Sequence, residues 1–164
     1  MRFSYIRDDD GVLDFSTYFD YLDQISGAMP DSLREFALSP GSYFLTGGGT
    51  LHDARLVAFS AEKSHVDDSK LRLNVGFVHQ SYEKRIFLVY GDVSSFYFDH
   101  ECLFRSPGID AISHEFSLVG HGAFRHKVIF DGGLGFWVDF EGFSCAFEPM
   151  NGHDQGAGFS AEFE

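Results

Sequence analysis

The chain has 164 residues and a formal net charge of −13 at pH 7, from 25 acidic residues against 12 lysines and arginines. A surface of this sign repels a phosphate backbone, because nucleic-acid binding depends on lysine and arginine displacing counterions. We therefore expect no direct binding to nucleic acid, and a basic protein is the partner that the charge favours. Acidity also serves simple solubility, and composition alone does not separate the two roles.

The length fits one domain, residues 1–164, which buries roughly two thirds of its unfolded surface on folding. The longest uncharged apolar stretches, such as residues 86–90, are of strand length and fall far short of the ~20 residues that span a bilayer. The N-terminus becomes acidic where a signal peptide has its apolar core, so we expect a cytoplasmic protein. Cys102 and Cys145 stand at no metal-finger or redox-motif spacing and are expected to be free thiols.

Residues 1–49 predict one strand and two helices. Residues 2–7 alternate aromatic and polar side chains, which is typical of a strand, and an acidic turn follows at residues 8–11. Apolar residues then recur at helical spacing over residues 15–25, and a shorter helix begins at Pro30. The glycine-rich turn at residues 46–50 lacks the lysine and the helix of a phosphate-binding loop, so we interpret it as a flexible turn.

From Thr50 onward the pattern alternates, which predicts antiparallel strands in two units, residues 50–98 and 112–147. The two units share residues at three spacings. The matches are His52-Asp53 with His114-Glu115 at 62 residues; Arg72/Arg125, Val75/Val128 and Phe77/Phe130 at 53; and Phe87/Phe136, Val89/Val138, Ser95/Ser144 and Phe98/Phe147 at 49. They predict a pseudo-repeat, with chance agreement among strands as the alternative.

Together these patterns predict an α+β fold. Two N-terminal helices pack on a large antiparallel sheet of about seven to nine strands, which is divided into the two units. We expect residues 148–164 to be a glycine-rich tail.

The two His-acid pairs are candidates for metal chemistry. A His-Asp doublet suggests metal-dependent phosphohydrolases, but those carry it on a helix, whereas both pairs here open predicted strands, where neighbouring side chains diverge. Only one residue of each pair can reach a shared site, and His52, His114 and His126 would then form a zinc cluster. We prefer the simpler interpretation that these side chains satisfy backbone groups where strands enter the sheet. We predict no catalytic residue, metal or cofactor.

Acidic side chains are the best candidates for contact with a basic partner. The four residues are Asp67, Asp68, Asp139 and Glu141. Asp139 and Glu141 lie two residues apart in a predicted strand, so we expect them to form an exposed negative row on one face. The alternative is that this row is only a solvated sheet face or an edge guard against aggregation.

A helical N-terminal part followed by Leu51-His52-Asp53-Ala54 resembles small uncharacterised bacterial proteins, some of which look like immunity proteins of polymorphic toxin systems. The resemblance covers mainly residues 50–77 and 114–141, the latter through residues 124–130 and the glycine turn after them. It implies an α+β domain that binds another protein, and it brings no catalytic residues.

We therefore predict a non-enzymatic, acidic protein-binding domain, with neutralisation of a basic toxin as its concrete form. Two alternatives stay open. One is a metal-assisted hydrolase that uses the three histidines. The other is a small-ligand module lined by Phe and Tyr, which would show an apolar pocket at the mouth of the sheet.

Overall fold

The computed structural model describes residues 1–9, 12–63, 67, 70–104, 108–120 and 122–150, with the side chains of residues 8 and 9 left out. Within these ranges the helices are α1 (Ser16–Ile25) and α2 (Asp31–Ala37). The strands are β1 (Arg7–Asp9), β2 (Val12–Asp14), β3 (Arg55–Lys63), β4 (Leu71–Val78), β5 (Lys84–Val93), β6 (Ser95–Phe98), β7 (Ala111–Leu118), β8 (Phe124–Phe130), β9 (Gly135–Phe140) and β10 (Gly142–Pro149). No helix in the described part of the chain is long and apolar enough to cross a membrane.

The predicted α+β class is confirmed, and the eight longer strands divide between two antiparallel sheets of four. Sheet 1 has the order β10-β5-β4-β3, and sheet 2 has the order β6-β9-β8-β7. In each sheet three consecutive strands form a meander, and the fourth strand comes from the other half of the chain. The unit β3–β6 and the unit β7–β10 thus have the same strand order. The last strand of each unit pairs in the sheet of the other unit: β6 in sheet 2 and β10 in sheet 1.

The strand registers define which residues of the two units are equivalent. Both first strands shift register at the same point, after Leu56 in β3 and after Ala111 in β7, so these strands correspond at a spacing of 55 residues. Two backbone bonds repeat this spacing: Leu56 N–H donates to the Ile109 carbonyl at 3.1 Å, and Ala111 N–H donates to the Ala54 carbonyl at 2.9 Å. Each bond is the image of the other.

The second strands correspond at the predicted spacing of 53, and the third strands do not correspond at the predicted 49. Val75 of β4 lies opposite Leu88, whereas its equivalent Val128 of β8 lies opposite Phe136, which sets the third spacing to 48. A shift of one residue turns every side chain to the other face of a sheet. The matches predicted at 49 therefore join residues that are not equivalent.

The two sheets face each other across an aromatic core. Phe77 and Phe130, which occupy equivalent positions, approach with their ring centroids 6.4 Å apart, and both are fully buried. Tyr90 of sheet 1 packs edge-on against Phe140 of sheet 2 at 5.2 Å. Such pairs add to the burial energy of the rings and hold the sheets in one relative position.

The two helices cover only one of the two seams between the sheets. Along the seam of β7 and β10, the Phe36 ring of α2 lies 6.1 Å from Phe116 and 5.6 Å from Phe143. Phe143 is therefore only 7% exposed, whereas its equivalent on the other seam, Phe96, is 39% exposed. The predicted apolar stripe of α1 is confirmed, since Tyr18 and Leu22 are buried on this side.

Candidate functional site

A chain of buried hydrogen bonds joins two of the predicted histidines. His126 Nε2 lies 2.9 Å from His114 Nδ1, His114 Nε2 lies 2.9 Å from the Ser42 carbonyl, and His126 Nδ1 lies 2.6 Å from the Tyr90 hydroxyl. A carbonyl only accepts, so His114 donates from Nε2 and accepts at Nδ1. His126 then donates from Nε2 and accepts the Tyr90 proton at Nδ1. All four ring nitrogens have partners when both rings are neutral.

Burial keeps both rings neutral. It lowers the pKa of His114 to about 4, against the opposing hydrogen bond to Ser42. Burial, and next the charge of His114, also lower the pKa of His126 well below its ordinary value. Among the described residues, no carboxylate pairs with either ring, and an added proton would put two donors against each other in the hydrogen-bond chain.

The predicted cluster of three histidines does not form, because His52 lies elsewhere. His52 precedes β3 in a turn, partly exposed, with Nδ1 3.2 Å from an Asp53 carboxylate oxygen. By register the equivalent of His114 is Phe59, so the predicted match of His52 with His114 is wrong by seven residues. Across the described ranges, no group of three His, Cys, Asp or Glu side chains is placed to hold a metal ion.

Sequence reasoning missed Tyr90 and Ser42 as partners of these histidines. Tyr90 stands in the apolar strand β5 and has the pattern of a core residue, and it reaches His126 across 36 positions of sequence. Ser42 contributes a backbone carbonyl, which any residue type carries. No sequence signal marks either one.

Glu115, the acid of the second His-acid pair, binds the N-terminal segment of the chain. Its carboxylate accepts from the backbone N–H of Ser4 at 2.7 Å and of Tyr5 at 3.0 Å. Lys127 donates to the same carboxylate at 2.9 Å and to the Arg2 carbonyl at 3.0 Å. The strand predicted over residues 2–7 does not form there: residues 4–6 bend and only Arg7 belongs to a strand, β1, because side chains of sheet 2 take the backbone bonds that a partner strand would take.

Asp139 does not form the predicted exposed row with Glu141. Asp139 is only 9% exposed, and both carboxylate oxygens accept from Arg125, at 2.6 Å from Nε and 2.8 Å from Nη2. The Arg125 guanidinium also lies 4.1 Å from the centre of the Trp137 ring. Glu141 is exposed in the turn after β9 ends at Phe140. A cation on the neighbouring strand therefore neutralises one of the two predicted charges.

Asp67 and Glu141, which were also predicted as contact residues, act on one ion pair at an exposed corner of sheet 1. Lys70 Nζ lies 3.0 Å from an Asp92 carboxylate oxygen. The hydrogen bond to Asp92 raises the pKa of Lys70, and the charges of Asp92, Glu141 and Asp67 add smaller contributions in the same direction. Asp67 and Glu141 thus act on the same ammonium group, while Asp68 lies outside the described residues. Sequence reasoning missed Asp92 as a member of this cluster.

The Cys145 thiol is a poor nucleophile. Neither Cys102 nor Cys145 forms a disulfide, and burial raises the pKa of Cys145 to about 12. A thiol with that pKa stays protonated near neutral pH, and the thiolate is the reactive form.

Two cavities flank strand β10. One of about 470 Å³ lies between α2 and β10, and one of about 530 Å³ lies beside the glycine-rich turn. Phe147 lines both. A third, of about 570 Å³, lies under the N-terminal segment and is lined by Phe3, Ile6 and Leu13 among others.

Comparison of the chain with protein-family models, with curated proteins and with solved structures found no match.

Proposed function

We propose that this chain is a non-enzymatic, acidic protein-binding domain that captures a basic protein partner in the bacterial cytoplasm, in the manner of an immunity protein that neutralises a toxin. One observation carries the proposal. At an exposed corner of sheet 1, Asp92 pairs with the ammonium of Lys70, and the charges of Asp67 and Glu141 act on the same ammonium. These acids belong to a chain whose net charge is −13.

An excess of exposed charge acts mainly on the rate of encounter. Complementary potentials steer two proteins together before they touch, and they raise the association rate more than they slow release. Neutralisation of a toxin requires fast capture, which suits a surface of this kind. The resemblance to immunity proteins points to the same role.

The buried histidine chain supports a role without catalysis. His114 and His126 are both fully buried, and every ring nitrogen is bonded to another protein group. A general base must come within hydrogen-bond reach of the proton that it removes from a substrate. These rings instead connect β5, β7 and β8 to the Ser42 carbonyl inside the core.

Capture with immobilised protein tests the proposal, followed by rate measurements with the purified partner. The variant Asp67→Asn/Asp92→Asn/Glu141→Gln removes three charges from the corner. The control Asp20→Asn/Asp23→Asn/Glu101→Gln removes three exposed charges on α1 and beyond the far end of β6. We expect the corner variant to associate about tenfold more slowly at low salt, with release nearly unchanged, and the control to lose much less.

Two results would contradict the proposal. One is that the wild-type protein retains no basic protein from cells that carry this gene. The other is that the corner variant and the control variant slow association equally, which would assign the effect to net charge alone.

A further inference from the structure

Among the described strands, β10 lies at one edge of sheet 1, and the residues that face outward from this edge can be assigned one by one. Just after the strand, Met150 N–H donates to the Glu83 carbonyl at 2.7 Å, so the even-numbered residues of β10 bond to β5. The odd-numbered residues face away. Phe143 fits this order, because its carbonyl accepts from the Ser32 hydroxyl of α2. Pro149, which has no N–H, also falls on the outward side, where a sheet tolerates proline.

Between these two positions, Cys145 and Phe147 direct their backbone N–H and C=O groups away from β5. No other described strand pairs with this side of residues 144–148, a stretch that matches a strand of about five residues, or roughly 17 Å. The cavity of about 470 Å³ runs along it, between Ser32 and Glu35 on the α2 side and Cys145 and Phe147 on the β10 side. Phe147 also lines the cavity of about 530 Å³. Both volumes lie in the range of ligand-binding clefts.

The lining of the two cavities combines exposed apolar side chains with negative charge. Leu45 is 51% exposed and Phe147 is 47% exposed. Three carboxylates, those of Glu35, Glu83 and Glu148, line the cavities together with one ammonium, that of Lys84. A segment that fits here carries apolar side chains on one face and lysine or arginine around them.

We infer that a basic, extended segment of the protein partner binds to the outward edge of β10 and becomes a fifth strand of sheet 1, in the groove between this edge and α2. The inference rests on the proposed function and adds how the partner is held. Its main chain bonds to the N–H and C=O groups of Cys145 and Phe147, as in other cases where a peptide extends a sheet. Its apolar side chains pack on Leu45 and Phe147, and its cations face Glu35 and Glu148.

A synthetic peptide provides the first test, since it requires no change in the protein. The probe is a fluorescein-labelled peptide of seven residues, in which lysine and valine alternate, and binding is followed by fluorescence anisotropy at low salt. Two further peptides carry N-methyl groups, one on the lysine nitrogens and one on the valine nitrogens. In a strand these two sets of N–H groups point to opposite sides.

If the peptide extends the sheet, one methylated peptide loses at least tenfold in affinity, and the other stays within about threefold of the parent. Amide hydrogen exchange at Cys145 and Phe147 slows when the parent peptide is added. Equal behaviour of the two methylated peptides, or no saturable binding of the parent, would overturn the inference.

A pair of protein variants provides the second test. Phe147→Pro removes an outward N–H and leaves every bond to β5 in place, while the control Phe147→Ala removes the same ring and keeps the N–H. We expect Phe147→Pro to bind the parent peptide and the captured partner at least tenfold more weakly than Phe147→Ala. Thermal unfolding of both variants checks that β10 is intact.

The outcomes separate the inference from the proposed function. A captured basic partner that binds both variants equally well contradicts the groove and leaves the acidic binding domain standing. If neither a basic protein nor the basic peptide is retained by the wild-type chain, the proposed function fails and the groove fails with it.

Discussion

Arg55 and Asp110 occupy the same position in the two strand units, and they bind each other. The spacing of 55 residues that relates β3 to β7 places Asp110 at the equivalent of Arg55, and the two residues form an isolated antiparallel bridge. Arg55 Nε donates to one carboxylate oxygen of Asp110 at 2.9 Å, and Nη2 donates to the other at 3.3 Å. The ion pair thus marks the point where the two units meet.

This equivalence predicts that the two charges can be exchanged. Arg55→Asp or Asp110→Arg alone places like charges together, and we expect each to lower the free energy of unfolding by about 1–2 kcal/mol. The double variant Arg55→Asp/Asp110→Arg restores the pair and should recover most of that loss. Urea denaturation of the four proteins in a double-mutant cycle measures it. A double variant that loses the sum of the two single effects would show that the positions are not interchangeable.

The buried histidines predict that acid destabilises the protein before most carboxylates titrate. Both histidines have a lower pKa in the folded state than the ordinary value of 6.5, so below about pH 6.5 the unfolded chain binds protons that the folded chain refuses. The free energy of unfolding therefore has its full contribution from the two neutral histidines above this pH. This contribution is lost as the pH drops toward the folded pKa of His114, about 4. Between pH 7.5 and 5.5, two such histidines account for about 2–3 kcal/mol.

The control variant for this pH dependence replaces both histidines with the residues that the other strand unit carries at the equivalent positions. His114→Phe/His126→Leu introduces the residues found at the equivalent positions, Phe59 and Leu73. Urea midpoints of the wild type and this variant, measured from pH 7.5 to 5.5, should fall steeply for the first and shallowly for the second. His79, whose pKa burial also lowers, explains a small remaining slope. Parallel curves would show that these two histidines do not carry the effect.

The ion pair between Lys127 and Glu115 predicts that replacing Lys127 loosens the N-terminal segment. Its side chain is 13% exposed and pairs with the Glu115 side chain, which is 1% exposed. Lys127→Met keeps much of the apolar stem and leaves a buried carboxylate without its cation, which should cost about 3 kcal/mol of unfolding free energy. The Glu115 carboxylate then lacks the ammonium that holds it in place, and its bonds to Ser4 and Tyr5 weaken. Amide hydrogen exchange should accelerate at these two residues more than in β4, and uniform acceleration would contradict the local effect.

The order of local structures follows from the sequence alone. Helical spacing of apolar residues over residues 15–25 and alternation after Thr50 depend on side-chain periods that each element carries within itself. The equivalence of β4 and β8 is also visible, because Arg72, Val75 and Phe77 recur at one spacing, and the extra residues at the register shifts lie in the neighbouring strands β3, β5 and β7. These features are local, and neighbours a few residues away specify them.

Only the tertiary structure decided the division into two sheets, the pairing of Asp139 with Arg125, and the separation of His52 from His114. Each depends on strand register, and one extra residue at a bulge reverses the face of every side chain beyond it. The turns that shorten the second unit change the spacing between the two copies, which no local pattern records. The sequence therefore contains the strands and their polar residues, while register across the sheets determines which charges are exposed and which histidines meet.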